Sequence, residues 1–216
     1  MKKSAIIASL LLLAISNSLL AQDSKPSMFI GIKAGLNGAS TSQGFGSGTN
    51  FEDPGMKLGV AGGIFVHFPL GEDWGMQPEL LYSSEGSLQE GKIGSGNNFV
   101  TVFTTKLNYL NIPFMFQYRG NKKGFYGEAG PQLGFLLTAK LNNKFPPTGV
   151  DATTDVQTYF RGAAWSFGFG TGYNFSSGLG IGVRYNLGLT NIDDIPGQDW
   201  KSNVLHLGVH YRFTGK

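Results

Sequence analysis

The chain has 216 residues, 33 of them glycine and none cysteine, with 14% charged and 13% aromatic side chains. Glycine without a three-residue period excludes collagen. The aromatic content excludes a disordered Gly/Ser chain, and the lack of cysteine excludes disulfide scaffolds, thiolate metal sites and cysteine nucleophiles.

The first expected element is a leader. Met1-Lys2-Lys3 is basic, Ala5 to Ile15 is almost wholly apolar, and Ser16 to Ala21 is small and mixed. That is the pattern of a secretory signal peptide, and the apolar run is short of the ~20 residues a spanning helix needs. Residues 1–21 are read as a cleaved signal peptide, with the cut after Ala21 and Ser18 as the second choice. Residues 22–27 are a short N-terminal segment and 28–216 a barrel domain. The leader removes Lys2 and Lys3, leaving 15 bases, two fewer than the whole chain's 17, against 14 acids. No clustered Lys/Arg footprint points to nucleic acid.

From residue 28 the hydrophobic period is two, the strand signal. Segment one sets Ile30, Ile32, Ala34 and Leu36 against Gly31, Lys33, Gly35 and Asn37. Segment two sets Leu58 to Phe68, even positions, against Gly59 to His67. Segment three has Met76, Pro78, Leu80 and Tyr82 against Gln77, Glu79, Leu81 and Ser83; segment four has Leu110 to Tyr118 against Asn111 to Gln117. In segment five Phe125 to Leu137, odd positions, oppose Tyr126 to Leu136. Segments six, seven and eight carry Ala163 to Phe175, Leu179 to Leu189 and Leu205 to Phe213, opposed by faces rich in glycine. Long connections are expected near 38–56, 85–105, 139–160 and 191–202, and short ones at 69–73, 119–124 and 176–178. Long alternating with short is the habit of outer-membrane barrels. The pattern predicts an all-β, eight-stranded antiparallel up-and-down transmembrane β-barrel.

The faces decide between lipid and water. The less apolar face is mostly Gly, Ala and Ser rather than the Lys, Glu and Thr of a solvated strand, and small residues suit a narrow lumen. Aromatics gather beside the short turns: Phe68, Trp74, Tyr118, Phe125, Tyr173 and Phe175, with Tyr211 and Phe213. They are expected to form an interfacial girdle. Lys33, Glu79, Glu128, Arg184 and Arg212 share the lumen face. Since unpaired charges in a narrow lumen are costly, they are expected to form one network that plugs it. Pro78, Pro113 and Pro131 interrupt adjacent strands and are read as a bulged patch of wall.

Four blocks then carry a resemblance: Gly31-Ile32-Lys33-Ala34-Gly35-Leu36-Asn37, Pro78-Glu79-Leu80-Leu81-Tyr82-Ser83, Tyr109-Leu110-Asn111-Ile112-Pro113 and Gly130-Pro131-Gln132-Leu133-Gly134. In this order and spacing, over about residues 28–213, they resemble the PorT-type outer-membrane β-barrel family. The resemblance implies an eight-stranded barrel of the size of OmpX or the OmpA membrane domain, in the outer membrane of a Gram-negative bacterium. PorT itself is associated with protein secretion across that membrane. The last strand, with His206, Gly208, Tyr211 and Phe213, resembles the assembly signal read by the barrel-insertion machinery, although Thr214-Gly215-Lys216 follow the last aromatic.

Catalytic chemistry finds little support. His206 and His210 lie four apart on one strand face, ~14 Å at ~3.4 Å per residue, too far to share a metal. His67 has Ser83 and Glu85 on the next segment but at the opposite strand ends, which disfavours a triad. Asp193, Asp194 and Asp199 offer calcium-type oxygens, with a solvated loop the preferred reading. Gly44, Gly46 and Gly48 are loop residues without a phosphate-loop context. The expectation is no enzyme, no cofactor and no metal. The partners are outer-membrane lipid and lipopolysaccharide, the assembly machinery during insertion, and an unidentified external or envelope protein. The role is structural, adhesive or secretion-accessory, with recognition on long external loops. The alternatives are a narrow solute channel and an enzyme acting on outer-leaflet lipid.

Overall fold

The computed structural model describes residues 28–43, 52–93, 99–120, 124–145, 149–195 and 199–213. The expected signal peptide, segment 22–27, Gly44, Gly46, Gly48 and the tail Thr214-Gly215-Lys216 lie outside the described residues.

Among the described residues nine strands form: β1 (Phe29–Thr41), β2 (Gly55–Pro69), β3 (Trp74–Ile93), β4 (Phe99–Tyr118), β5 (Phe125–Phe145), β6 (Val150–Asp155), β7 (Ala163–Asn174), β8 (Leu179–Gly188) and β9 (Ser202–Phe213). Eight of them close into a ring in the order β1-β2-β3-β4-β5-β7-β8-β9, every pairing antiparallel. The β1–β9 ladder, from Ile30 opposite Phe213 to Thr41 opposite Ser202, is the seam. Closure matters because hydrocarbon offers no partner to an unpaired backbone group. Among the described residues no helix is long and apolar enough to cross a membrane.

Side-chain parity assigns the two faces. Leu58 is 77% exposed, Leu207 62% and Val209 56%, all on the outer wall. In water such a continuous apolar surface would associate; against lipid it is the required exterior. Lys33, Asn37, Glu79, Ser83, Asn111, Glu128, Arg184 and His206 point inward and are buried. Inward glycine makes room in a narrow bore for the large side chain of its partner on the neighbouring strand. A Cβ at Gly180 would run into the His210 imidazole, and one at Gly172 into the Tyr126 hydroxyl.

Three expectations need correction. The proline patch is not bulged. The ladders lack pairs between Pro78–Phe114 and Leu81–Asn111, and between Pro113–Gln132 and Phe116–Ala129, but the register is the same on both sides. Pro131 itself is paired with Phe167. Proline withdraws one donor, while a one-residue slip would turn every side chain to the wrong face. The register shifts fall elsewhere, between Met56 and Ala61 on β2 and between Asn108 and Tyr109 on β4. Second, the loops expected at 85–105 and 139–160 are largely strand, since β3 runs to Ile93, β4 starts at Phe99 and β5 reaches Phe145. Third, the connection expected at 139–160 holds a short strand of its own, β6, outside the eight-stranded ring that the pattern predicts and paired with the outer part of β5 from Phe145 opposite Val150 to Lys140 opposite Asp155. These stretches pass beyond the apolar belt, so they keep backbone pairing but lose the apolar alternation that marks lipid-facing strand.

Candidate functional site

The lumen is the candidate site. Its centre is an ion network. Glu79 on β3 accepts from Arg184 on β8 through both oxygens, Nη1 and Nη2 each at 2.8 Å. Lys33 Nζ on β1 lies 2.6 Å from the same carboxylate. Arg184 Nε donates to Glu128 on β5 at 2.7 Å. Gln77 and Gln117 complete the acids, donating to Glu79 at 2.8 Å and Glu128 at 3.0 Å. All four charged side chains are buried. They come from β1, β3, β5 and β8, alternate strands of the ring, so the Glu79–Arg184 pair joins opposite walls while Lys33–Glu79 and Arg184–Glu128 link strands two places apart. Two cations face two anions, and the paired geometry offsets the desolvation that isolated charges would suffer.

Arg212 is not in this network. It shares the lumen parity but lies at the short-turn rim, where its Nη2 donates to the Phe175 carbonyl at 3.0 Å. It sits near the end of β9, opposite Gly31 near the start of β1, and its long side chain turns toward the rim rather than the centre. The acids of the network are already matched without it.

Above the network, toward the long-loop end, Asn37 Nδ2 donates to Ser83 Oγ at 2.8 Å and Asn37 Oδ1 faces His206 Nδ1 at 2.9 Å. Ser83 in turn donates to Glu85 at 2.9 Å. Glu85 is buried and also accepts from Asn111 and Ser202, each at 3.0 Å. His67 stands apart from Ser83 and Glu85, stacked on Phe29 with ring centroids 4.7 Å apart. His210 bonds Asn174 Oδ1 at 2.8 Å. Among the described residues no three His, Cys, Asp or Glu side chains stand together as a metal site.

The mouth at the long-loop end is capped. Trp200, 1% exposed, packs with Ile192, Phe160, Val156, Tyr109 and Leu136. Backbone bonds clasp the cap: Arg161 N to Ile192 O and Ile192 N to Trp200 O, both 2.8 Å, and Asp194 N to Tyr159 O at 2.9 Å. The described parts of the 191–202 connection, residues 191–195 and 199–202, are therefore not simply a solvated loop. Asp193 is buried, and its Oδ1 accepts the Ile195 N–H at 2.7 Å. Asp194 and Asp199 instead face Arg161 and Lys201 at 3.6 and 3.4 Å. Two lumen cavities lined by described residues measure about 30 and about 10 Å³. That is room for a water or two.

The aromatics expected at the interface lie at the short-turn end. Trp74 meets Tyr118 at 5.0 Å between centroids, Phe125 meets Tyr173 at 4.7 Å and Tyr173 meets Phe175 at 5.0 Å. Phe68 is half-buried and pairs with Met76 next to the short turn that Trp74 follows. On β9, Tyr211 and Phe213 point outward, 5.3 Å apart, while His206 points inward. Sequence reasoning missed the cap; it placed Gln77 and Gln117 on the inward faces without their bonds to the acids, and it weighed Glu85 only as a triad acid. Parity continued past residue 84 through Glu85, Ser87 and Gln89 was the signal that could have found the last.

Comparison with known proteins follows this geometry. The family described as "Outer membrane protein beta-barrel domain" matches residues 20–194. Among solved structures, the chain is similar to Neisserial surface protein A, with 14% identity over 85% of this chain and 97% of that one, at a TM-score of 0.47. It is also similar to Ail of Yersinia pestis, with 16% identity over 86% and 99% of the two chains and a TM-score of 0.45. OprG of Pseudomonas aeruginosa gives 14% identity over 87% and 96%, with a TM-score of 0.43. No curated protein sequence matches. With the family matched over most of its length, this chain, a closed ring of antiparallel strands with a lipid-type exterior, belongs to the outer membrane protein beta-barrel domain family and resides in the outer membrane.

Proposed function

We propose that this protein is a closed barrel of structural, adhesive or secretion-accessory type, of the PorT kind, exported by its leader, with its long loops outside the cell carrying recognition. The observation that carries the reading is the filled bore. The Lys33–Glu79–Arg184–Glu128 network braces opposite walls, the Trp200 cluster covers one mouth, and the two lumen cavities lined by described residues are water-sized. A solute would have to separate buried ion pairs to pass, which costs several kcal/mol per ion left without a partner. The reading assigns no catalytic step and no cofactor. It places lipid and lipopolysaccharide around the wall, the insertion machinery on β9 during assembly, and an envelope or external protein at the loops.

The test is conductance of the purified, folded protein in a planar bilayer. The expected result is a silent membrane. Repeated openings of one uniform size would refute the reading in favour of a channel. Lipid A mass spectra from a deletion strain, expected to be unchanged, address the enzymatic alternative.

A further inference from the structure

We propose that the short-turn end of the barrel carries an oxyanion site, built by Arg119 and Arg212 around the Phe29 ring, that takes a phosphate group at the level of the lipid headgroups. Arg119 follows β4, Arg212 lies near the end of β9 and Phe29 opens β1. Both guanidinium groups lie over the Phe29 ring, 5.4 and 5.6 Å from its centroid. The Phe29 ring also stacks on His67, whose Nδ1 is 3.3 Å from Arg119 Nη2.

This cluster is cationic without an acid. Among the described residues neither arginine has a carboxylate within ion-pair distance. Their side-chain acceptors are neutral: Gln117 Oε1 at 3.1 Å for Arg119 and the Phe175 carbonyl at 3.0 Å for Arg212. The Nε of each arginine is buried with no hydrogen-bond partner. Glu79 and Glu128, the acids of the lumen core, are already matched by Lys33 and Arg184. Burial, and after it the charge of Arg212, pull the Arg119 guanidinium down to about 10, so it remains charged at neutral pH. Two like charges held together and partly desolvated repel, and a bound anion removes that repulsion.

Position selects the anion. Trp74, Tyr118, Tyr173 and Phe175 ring the same end, where amphipathic aromatics mark the headgroup layer. The commonest oxyanion in that layer is phosphate, and the guanidinium fork matches its oxygens.

The experiment uses the full mature barrel in detergent micelles and native mass spectrometry. The micelles carry phosphatidylglycerol and an equal amount of diacylglycerol, which has the same chains but no phosphate. Inorganic phosphate is titrated separately in lipid-free micelles. The wild type should retain phosphatidylglycerol over diacylglycerol. The double variant Arg119→Gln/Arg212→Gln should retain it at least ~10-fold less, since each charge-assisted contact is worth about that much. Lys92→Gln, at the long-loop end, should change nothing. Arg119→Lys/Arg212→Lys, which keeps charge but not the fork, should fall between. Loss of inorganic phosphate binding in the Gln variant together with the lipid shows that the site takes free phosphate as well; loss of the lipid alone assigns the headgroup. Both support the site. Equal phosphatidylglycerol retention by the wild type and a folded double Gln variant overturns it, as does an equal loss in Lys92→Gln. If the Gln variant does not fold, diacylglycerol retained as well as phosphatidylglycerol by the wild type does so too.

Discussion

The lumen network makes a quantitative claim about Glu79. Its carboxylate accepts four donor contacts, one from Lys33, two from Arg184 and one from Gln77. Glu79→Gln leaves Lys33 and Arg184 in the bore with only Glu128 to oppose them. Arg184 keeps its 2.7 Å bond to Glu128, whereas Lys33 loses the acid it is paired with. Breaking a buried pair on one side costs roughly 3–5 kcal/mol. Lys33→Met alone leaves an excess negative charge and falls in the same range. Together, Lys33→Met/Glu79→Gln restores one cation to one anion, so the double variant should cost at least ~2 kcal/mol less than the sum of the singles, within the usual range for contacting residues. The assay is equilibrium urea unfolding in lipid vesicles, followed by tryptophan emission and by the mobility of unheated samples on SDS gels. Additivity of the two changes within ~0.5 kcal/mol would sink the claim that these charges act as one unit.

Three further outcomes follow from the same structure. Leu207→Arg puts a charge on the lipid face and should lower stability in vesicles by ~2–4 kcal/mol or block insertion, read by the same gel shift. Gly180→Val should cost ~1–3 kcal/mol by driving a side chain into His210, and adding His210→Ala should recover part of that in urea unfolding; no recovery would contradict the glycine–histidine pairing between neighbouring strands β8 and β9. Trp200→Ala should remove ~3–5 kcal/mol from the cap and raise amide exchange around residues 156–162 and 189–195, while exchange in β1 and β9 stays slow; uniform acceleration would show that the cap is not a separate unit.

The wall of the barrel was legible because lipid imposes one rule on every strand: apolar out, small or polar in. That rule is local, so eight segments and their facing could be read from parity. Three things were not local. Arg212 has the inward parity of Arg184, but the depth of a side chain along the bore depends on strand stagger, which parity does not carry. The extensions of β3, β4 and β5 lie where neither face meets lipid, so the alternation fades while the ladder continues. The cap joins Phe160, Ile192 and Trp200 across two connections whose apolar residues have no period at all. The three prolines misled for the opposite reason. A rule about donors was applied where the stronger constraint was the side on which every neighbour must stand.

The cross-bracing of alternate staves bears on the order of assembly. Lys33, Glu79 and Glu128 arrive with the first five strands, and these three alone leave the bore with a surplus negative charge. Arg184 is contributed by β8, 105 residues after Glu79 in the chain. Until it is seated, one carboxylate has no counter-charge, and a half-built sheet gains nothing by curling shut around it. Neutralisation therefore coincides with near-completion of the ring, making the central arginine a keystone that tells a finished barrel from a truncated one.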